Sequence, residues 1–255
     1  MMPMFARLAL TGCLLSIYVA SSPALAAVPT ALKVPSKDRV AMATTLESLE
    51  LPLIERVQDL RAQGSPGYAN LRSLMFDRAQ TMQLRWKAVT AAGRVGGEKS
   101  RVDLERAYKA PEWYMRNAAL ISMMQVDRST GLAWARRLLA DKALVVRAAA
   151  VDAIANANDA TSAPVLWEKL YSKENYKRGQ SLFIRRRIVE ALAHVESPGR
   201  EAKFIAVLAD KDGTLHEPAI AALERITKKS IGQPGEPVKF RKAKWEKWWK
   251  ETRTL

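Results

Sequence analysis

Seven basic side chains crowd between positions 168 and 187: Lys169, Lys173, Lys177, Arg178, Arg185, Arg186 and Arg187, against only Glu168 and Glu174. Tyr171, Tyr176 and Phe183 are interleaved with them. Basic residues beside aromatics can clamp phosphates and stack on bases. The same composition also makes an ordinary solvated charged face. A second set of arginines is regular. Arg85, Arg116, Arg147 and Arg185, with His216 in the same slot, follow one another at spacings of 31, 31, 38 and 31 residues. Asp141 lies six residues before Arg147, and Asp210 six before His216. Buried charges are normally paired, so the pattern predicts a structural Asp–Arg ladder tying successive turns together. Its alternative use is a ladder of anion contacts.

Groups for catalysis are scarce. His194 and His216 are the only histidines, and Cys13 is the only cysteine. No His, Cys and Glu grouping has metal-ligand spacing. No nucleophile elbow appears. Gly93 and Gly96-Gly97 sit at the end of a helical pattern, not between a strand and a helix, so they do not make a phosphate loop. A non-catalytic protein without cofactor or metal is expected.

The elements that position these side chains are helices. Apolar residues recur at −1, +3, +4 and +7 around each marker, as in Val146, Ala150, Val151 and Ile154, and they mark one helical face. That face centres about 35° from the marker at 100° per residue, so Arg85, Arg116, Arg147 and Arg185 border the core. Arg186 and Arg187 lie more than about 120° away and face solvent. Position +6 is small throughout: Ala91, Ser122, Ala153, Ala191 and Ala222. A shorter helical pattern precedes each marked helix, as at Arg101 to Lys109, Leu132 to Ala140 and Glu201 to Ala209. Turn signals divide the two, with Pro111 suited to a first helical position and Thr214 with Glu217 spaced as a capping box. A fixed period in the range of 20–50 residues means stacked units. The spacing of 38 marks a seven-residue insertion between the helices of the fourth unit, around Ser172 to Gln180, and such insertions often go to a binding face.

The run Leu-Ala-Asp-Lys-Ala-Leu-Val-Val-Arg-Ala-Ala-Ala-Val-Asp-Ala-Ile at 139–154 resembles the short HEAT-like repeat family, in the variant also found in phycobilin lyases. The resemblance covers about residues 67–230. The ending is similar too: many bacterial HEAT-like proteins close with a Gly/Pro-rich link and a Trp-rich helix, here Gly232 to Pro237 and then Trp245, Trp248 and Trp249. The resemblance implies an all-α fold, a right-handed α-solenoid of about five hairpins with helical caps at both ends, and partner binding. It implies no single activity. A lyase-like activity would need residues that the chain does not offer.

Four segments are expected. Residues 1–26 read as a signal peptide, with Arg7 before an apolar run, Ser21-Ser22-Pro23 ending it, and Ala24-Leu25-Ala26 as the cleavage signature. Export to the periplasm or beyond follows. A lipobox at Leu10-Thr11-Gly12-Cys13 and an uncleaved anchor are the alternatives. Residues 27–66 form a helical cap, with helices from Ser36 to about Leu51 and from Pro52 to about Gln63, and with Gly64-Ser65-Pro66-Gly67 breaking the chain. Residues 67–230 hold the repeats. Residues 231–255 are a linker and a basic helix whose Arg241, Trp245, Trp248 and Trp249 share one face. That face caps the last repeat; the rival is an interfacial helix on anionic lipid.

The formal charge of +15 predicts attraction to anionic surfaces. The leading expectation is a scaffold or adaptor binding an acidic protein or envelope complex. The alternatives are a nucleic-acid backbone binder and an envelope-surface or membrane-surface protein.

Overall fold

The computed structural model describes residues 36–253, Pro234 excepted. The expected export signal, with Cys13, Ala24 and Ala26, lies outside the described residues. Apart from one small β-hairpin and short 3-10 turns, the regular elements are α-helices. Two open the described chain, α1 (Ser36–Glu50) and α2 (Leu53–Ala62). Five helical hairpins follow. They are α3 (Gly64–Phe76) with α4 (Met82–Gly96), α5 (Arg101–Tyr108) with α6 (Trp113–Val126), and α7 (Arg128–Leu138) with α8 (Leu144–Asn156). Next come α9 (Ala163–Leu170) with α10 (Ile184–Val195), and α11 (Glu201–Leu208) with α12 (His216–Thr227). The last helix is α13 (Val238–Thr252).

The periodic positions explain the packing. Each marker stands near the start of the second helix of its hairpin. The +3 and +4 residues Ala88-Val89, Ala119-Leu120, Ala150-Val151, Ile188-Val189 and Ala219-Ile220 are all buried. They carry successive second helices against one another, α4 on α6, α6 on α8, α8 on α10 and α10 on α12. The small +6 residues set how closely these helices approach. A Cβ placed on Gly93 would stand 2.7 Å from the Ser122 Cβ, so α4 and α6 nearly touch at their backbones. Ser122 Oγ donates to the Val89 carbonyl across that contact, at 3.2 Å.

Several local readings are corrected. The break expected at Gly64-Ser65-Pro66-Gly67 falls at Gly64 alone, whose φ of +61° separates α2 from α3; Ser65, Pro66 and Gly67 already belong to the first turn of α3. Proline needs no amide partner in a first turn, and that is why the run can be helical. Pro111 stands before α6, which starts at Trp113. The Thr214–Glu217 capping box does not form: the Asp212 side chain accepts the Thr214 N–H and caps a 3-10 turn over Gly213–Leu215 instead. An aspartate two residues upstream outcompetes the threonine hydroxyl. The insertion contains the two strands, Tyr176–Lys177 pairing antiparallel with Gln180–Ser181. Arg178 and Gly179 both adopt positive φ, +51° and +77°, as a two-residue turn between right-twisted strands requires.

At the C-terminal end α13 packs on α11 and α12. Trp245 is fully buried, and Trp248 meets it edge-on at 5.2 Å between ring centroids. Arg241 binds Glu217 at 2.8 Å and Glu224 at 3.0 Å. Trp245 and Trp248 thus pack into the core, while Trp249 meets only Trp248 and Arg253 through its ring.

Candidate functional site

The marker arginines draw the hairpin turns into one continuous line. Arg116 makes a two-pronged contact with Asp141, from Nε at 2.6 Å and Nη2 at 2.7 Å, and both side chains are buried. Its Nη1 donates to the Ala110 and Pro111 carbonyls of its own turn. Arg185 repeats the cross-link to Asp210 at 2.6 Å. Asp141 and Asp210 each lie 25 residues after the arginine they bind, in the turn of the next hairpin. The Asp141 carboxylate therefore serves Arg116, and Arg147 six residues on receives only the Asp141 backbone carbonyl. Arg85 reaches Glu112 of the next turn at 3.1 Å and the Tyr114 hydroxyl at 2.5 Å.

Arg147 is the exception. It is buried, and its hydrogen-bonding partners carry no charge. Nε donates to Asn175 Oδ1 at 3.0 Å, Nη2 to the Glu174 carbonyl, and Nη1 to the Asp141 and Lys142 carbonyls. The insertion begins here and puts an amide where its neighbours supply a carboxylate. His216 makes only the inner contact, Nε2 to the Asp210 carbonyl at 3.0 Å.

These contacts fix the electrostatics. Burial would raise the Asp141 and Asp210 carboxyls, but hydrogen bonds from Arg116 and Arg185 and from backbone N–H groups hold both below the usual range. The Arg116 guanidinium is correspondingly raised by its bonds to Asp141. Burial instead lowers Arg147, which has no salt bridge to offset it.

The turn cations are left over. Arg78, Lys142, Lys173, Lys177, Arg178 and Lys211 are exposed and make no side-chain hydrogen bond or ion pair among the described residues. Of the acids beside them, Glu112, Asp141 and Asp210 point inward to arginines, while Asp77 stays exposed and accepts from Ala79 and Gln80. Clefts open between neighbouring turns, one of about 540 Å³ between the first two hairpins and one of about 690 Å³ between the last two. Arg85 and Arg185 line them.

The cluster at 168–187 divides. Lys173, Lys177 and Arg178 stand on the inserted β-hairpin. Lys169 is drawn to Glu168 at 2.9 Å. Arg186 and Arg187 are exposed on α10, where Arg186 pairs with Glu190 at 2.8 Å and Arg187 with Asp152 of α8 at 2.5 Å. No contact joins them to the β-hairpin cations among the described residues. Tyr171 and Tyr176 hold their rings toward Arg185, whose guanidinium carbon is 5.5 and 4.6 Å from the centroids. They therefore brace a buried arginine.

Sequence reasoning missed Arg78, Arg106, Lys142 and Lys211. A signal was present: every hairpin turn carries a Lys or Arg five to seven residues before its marker, namely Arg78, Lys109, Lys142, Arg178 and Lys211. Among the described residues no group of His, Cys, Asp and Glu is arranged to hold a metal ion, and no helix is long and apolar enough to cross a membrane. No family model matches the chain, and no curated protein matches it significantly.

Proposed function

We propose that the protein is an exported, non-catalytic scaffold of the short HEAT-like kind, a right-handed α-solenoid with capped ends, that binds an acidic protein partner along the line of its hairpin turns. One observation carries this reading. Glu112, Asp141 and Asp210 are taken by buried arginines while Arg78, Lys142, Lys173, Lys177, Arg178 and Lys211 stay exposed without an ion pair, so positive charge exceeds negative along the line even with Asp77 exposed there. Such a field attracts an anionic partner and falls with salt. Tyr171 and Tyr176 turn toward the buried Arg185, while Tyr171 and Phe183 keep 50% and 57% of their surface exposed beside the basic cluster, so binding of stacked bases is the second reading.

The test is capture of acidic proteins from a native envelope fraction. The triple change Lys173→Glu, Lys177→Glu and Arg178→Glu should abolish capture while melting stays unchanged. Arg186→Glu with Arg187→Glu should reduce it less, since those arginines already have acidic partners. Equal loss from both variants would show that net charge alone acts and would sink the assignment to the turns. Sequencing of the native N-terminus should begin at Ala27 or Val28; recovery of Met1 would remove export from the proposal.

A further inference from the structure

The cleft between the first two hairpins holds an arginine set up for a carboxylate. Arg106, exposed on α5, lays its guanidinium over the Phe76 ring with 3.9 Å between the guanidinium carbon and the ring centroid. Stacking uses the face of the guanidinium and leaves its in-plane N–H groups free. No protein acceptor takes them among the described residues. Arg78 lines the same cleft, also without an acidic contact partner. The two cleft acids are occupied: Glu112 by Arg85 at 3.1 Å, and Glu105 by Lys109 at 2.7 Å. The cleft thus carries two uncompensated positive charges. Val102, 73% exposed, and Pro111 add an apolar rim.

We propose that this cleft is the carboxylate anchor of the turn line, taking a glutamate or aspartate side chain of an extended acidic segment of the partner. The inference rests on the reading of the turn line as an acidic-protein surface and adds a defined site to it. Stacking on Phe76 limits the rotamers of Arg106 before binding, so less freedom is lost when a carboxylate arrives. A planar fork then meets a planar acceptor in a bidentate contact, where a lysine would offer only a point charge. The methylenes of a glutamate would lie on Val102 and Pro111. From this cleft to the one between the last two hairpins is three units, about 30 Å at 8–10 Å per packed helix. An extended segment of about nine residues spans that distance. Lys142 and the β-hairpin cations lie between.

The probe is a dye-labelled twelve-residue Glu-rich peptide followed by fluorescence anisotropy on the purified protein at low salt. Arg106→Gln should weaken it about tenfold, as loss of a charge-assisted bidentate contact implies. Phe76→Leu keeps the charge and should still weaken it several-fold, with a melting curve confirming the fold. Lys228→Gln with Lys229→Gln, which removes charge at the far end of α12, should change affinity less than about twofold. A six-residue peptide should bind much more weakly than the twelve-residue one. Phe76→Leu without effect would overturn the stacked anchor. Loss only in Lys173→Gln, Lys177→Gln, Arg178→Gln would keep the acidic surface and remove this cleft from it. Binding of inorganic polyphosphate or anionic vesicles with no binding of the peptide would overturn the proposal and the reading beneath it together.

Discussion

The line of hairpin turns and the opposite line, where each hairpin passes to the next, both use arginine, and they use it in opposite ways. On the turn line, arginine is buried and the neighbouring turn brings an acceptor to it. On the other line, arginines lie at the surface and reach for helix ends. Arg61 donates to the Arg94 carbonyl near the end of α4 at 2.8 Å. Arg128 donates to the Ala157 carbonyl after α8, and Arg225 to the Ala193 and Glu196 carbonyls at the end of α10. A cation at a helix C-terminus meets unsatisfied carbonyls and the negative end of the dipole. Arg101 with Asp127 and Arg136 with Asp159 complete that line. These arginines are spent on the fold, while Lys99, Lys228 and Lys229 stay exposed on that line without an ion pair. On the turn line Arg78, Lys142, Lys173, Lys177, Arg178 and Lys211 are exposed without an ion pair, and buried arginines hold Glu112, Asp141 and Asp210. One residue type thus ties helix ends at the surface of one line and buries the acids of the other.

The contrast breaks most visibly at Arg116. Arg116→Met strands the buried Asp141 charge and should cost about 3–5 kcal/mol in urea unfolding. Arg128→Met, on the other line, should cost about 1 kcal/mol or less, since it removes an exposed hydrogen bond. Equal costs would erase the distinction. Arg147→Met sharpens it. No buried carboxylate is stranded, only Asn175 and three carbonyls, so a loss of about 1–3 kcal/mol is expected, below that of Arg116→Met. A larger loss would mean that charge pairing is not what makes the ladder strong.

Acid supplies the third measurement. The Asp141 carboxyl is depressed in the fold from an ordinary value of 3.8. A depressed carboxyl stabilises above its unfolded value and loses that contribution as pH falls through the folded one. Melting temperature should therefore drop as pH falls below about 4. Asp141→Asn should be less stable at neutral pH but have a flatter acid limb. An unchanged limb would separate Asp141 from acid unfolding. The smallest effect is expected of Lys142→Glu, within about 0.5 kcal/mol, because an exposed turn cation without an ion-pair partner contributes little to folding. A loss well beyond that would place Lys142 in the fold and not in the surface on offer.

The helices were legible because their signal is local and repeated. Apolar residues at fixed offsets from each marker specify which face is buried, and Ala150, Val151 and Ile154 lie as that rule requires. The pairing of the ladder was not legible in its direction. Asp141 is six residues from Arg147 and 25 from Arg116, and only the packing of neighbouring hairpins selects the distant partner. Arg186 and Arg187 were read as solvent-facing, and they are exposed. Their acids, Glu190 and Asp152, could not be assigned from a wheel of one helix. The β-hairpin escaped because two-residue strands carry no alternation; the one local hint was Arg178-Gly179 as a turn. Arg106 escaped for a similar reason, since its ring partner Phe76 belongs to another hairpin.

The last rung differs from the others. His216 holds the marker slot but reaches only its own turn, and position 241, 25 residues on, holds an arginine where Asp141 and Asp210 stand in the rungs before. The acids have moved to the other side: Glu217 and Glu224 on α12 receive Arg241 from the cap. The polarity of the rung is inverted. An open series of like units has no intrinsic length, because the surface left by the last one resembles the surface that received it. Inversion ends that equivalence. Here Arg241 of α13 answers both glutamates, and Trp245 of the same helix is fully buried, so the last rung is closed from within the chain by its own final helix.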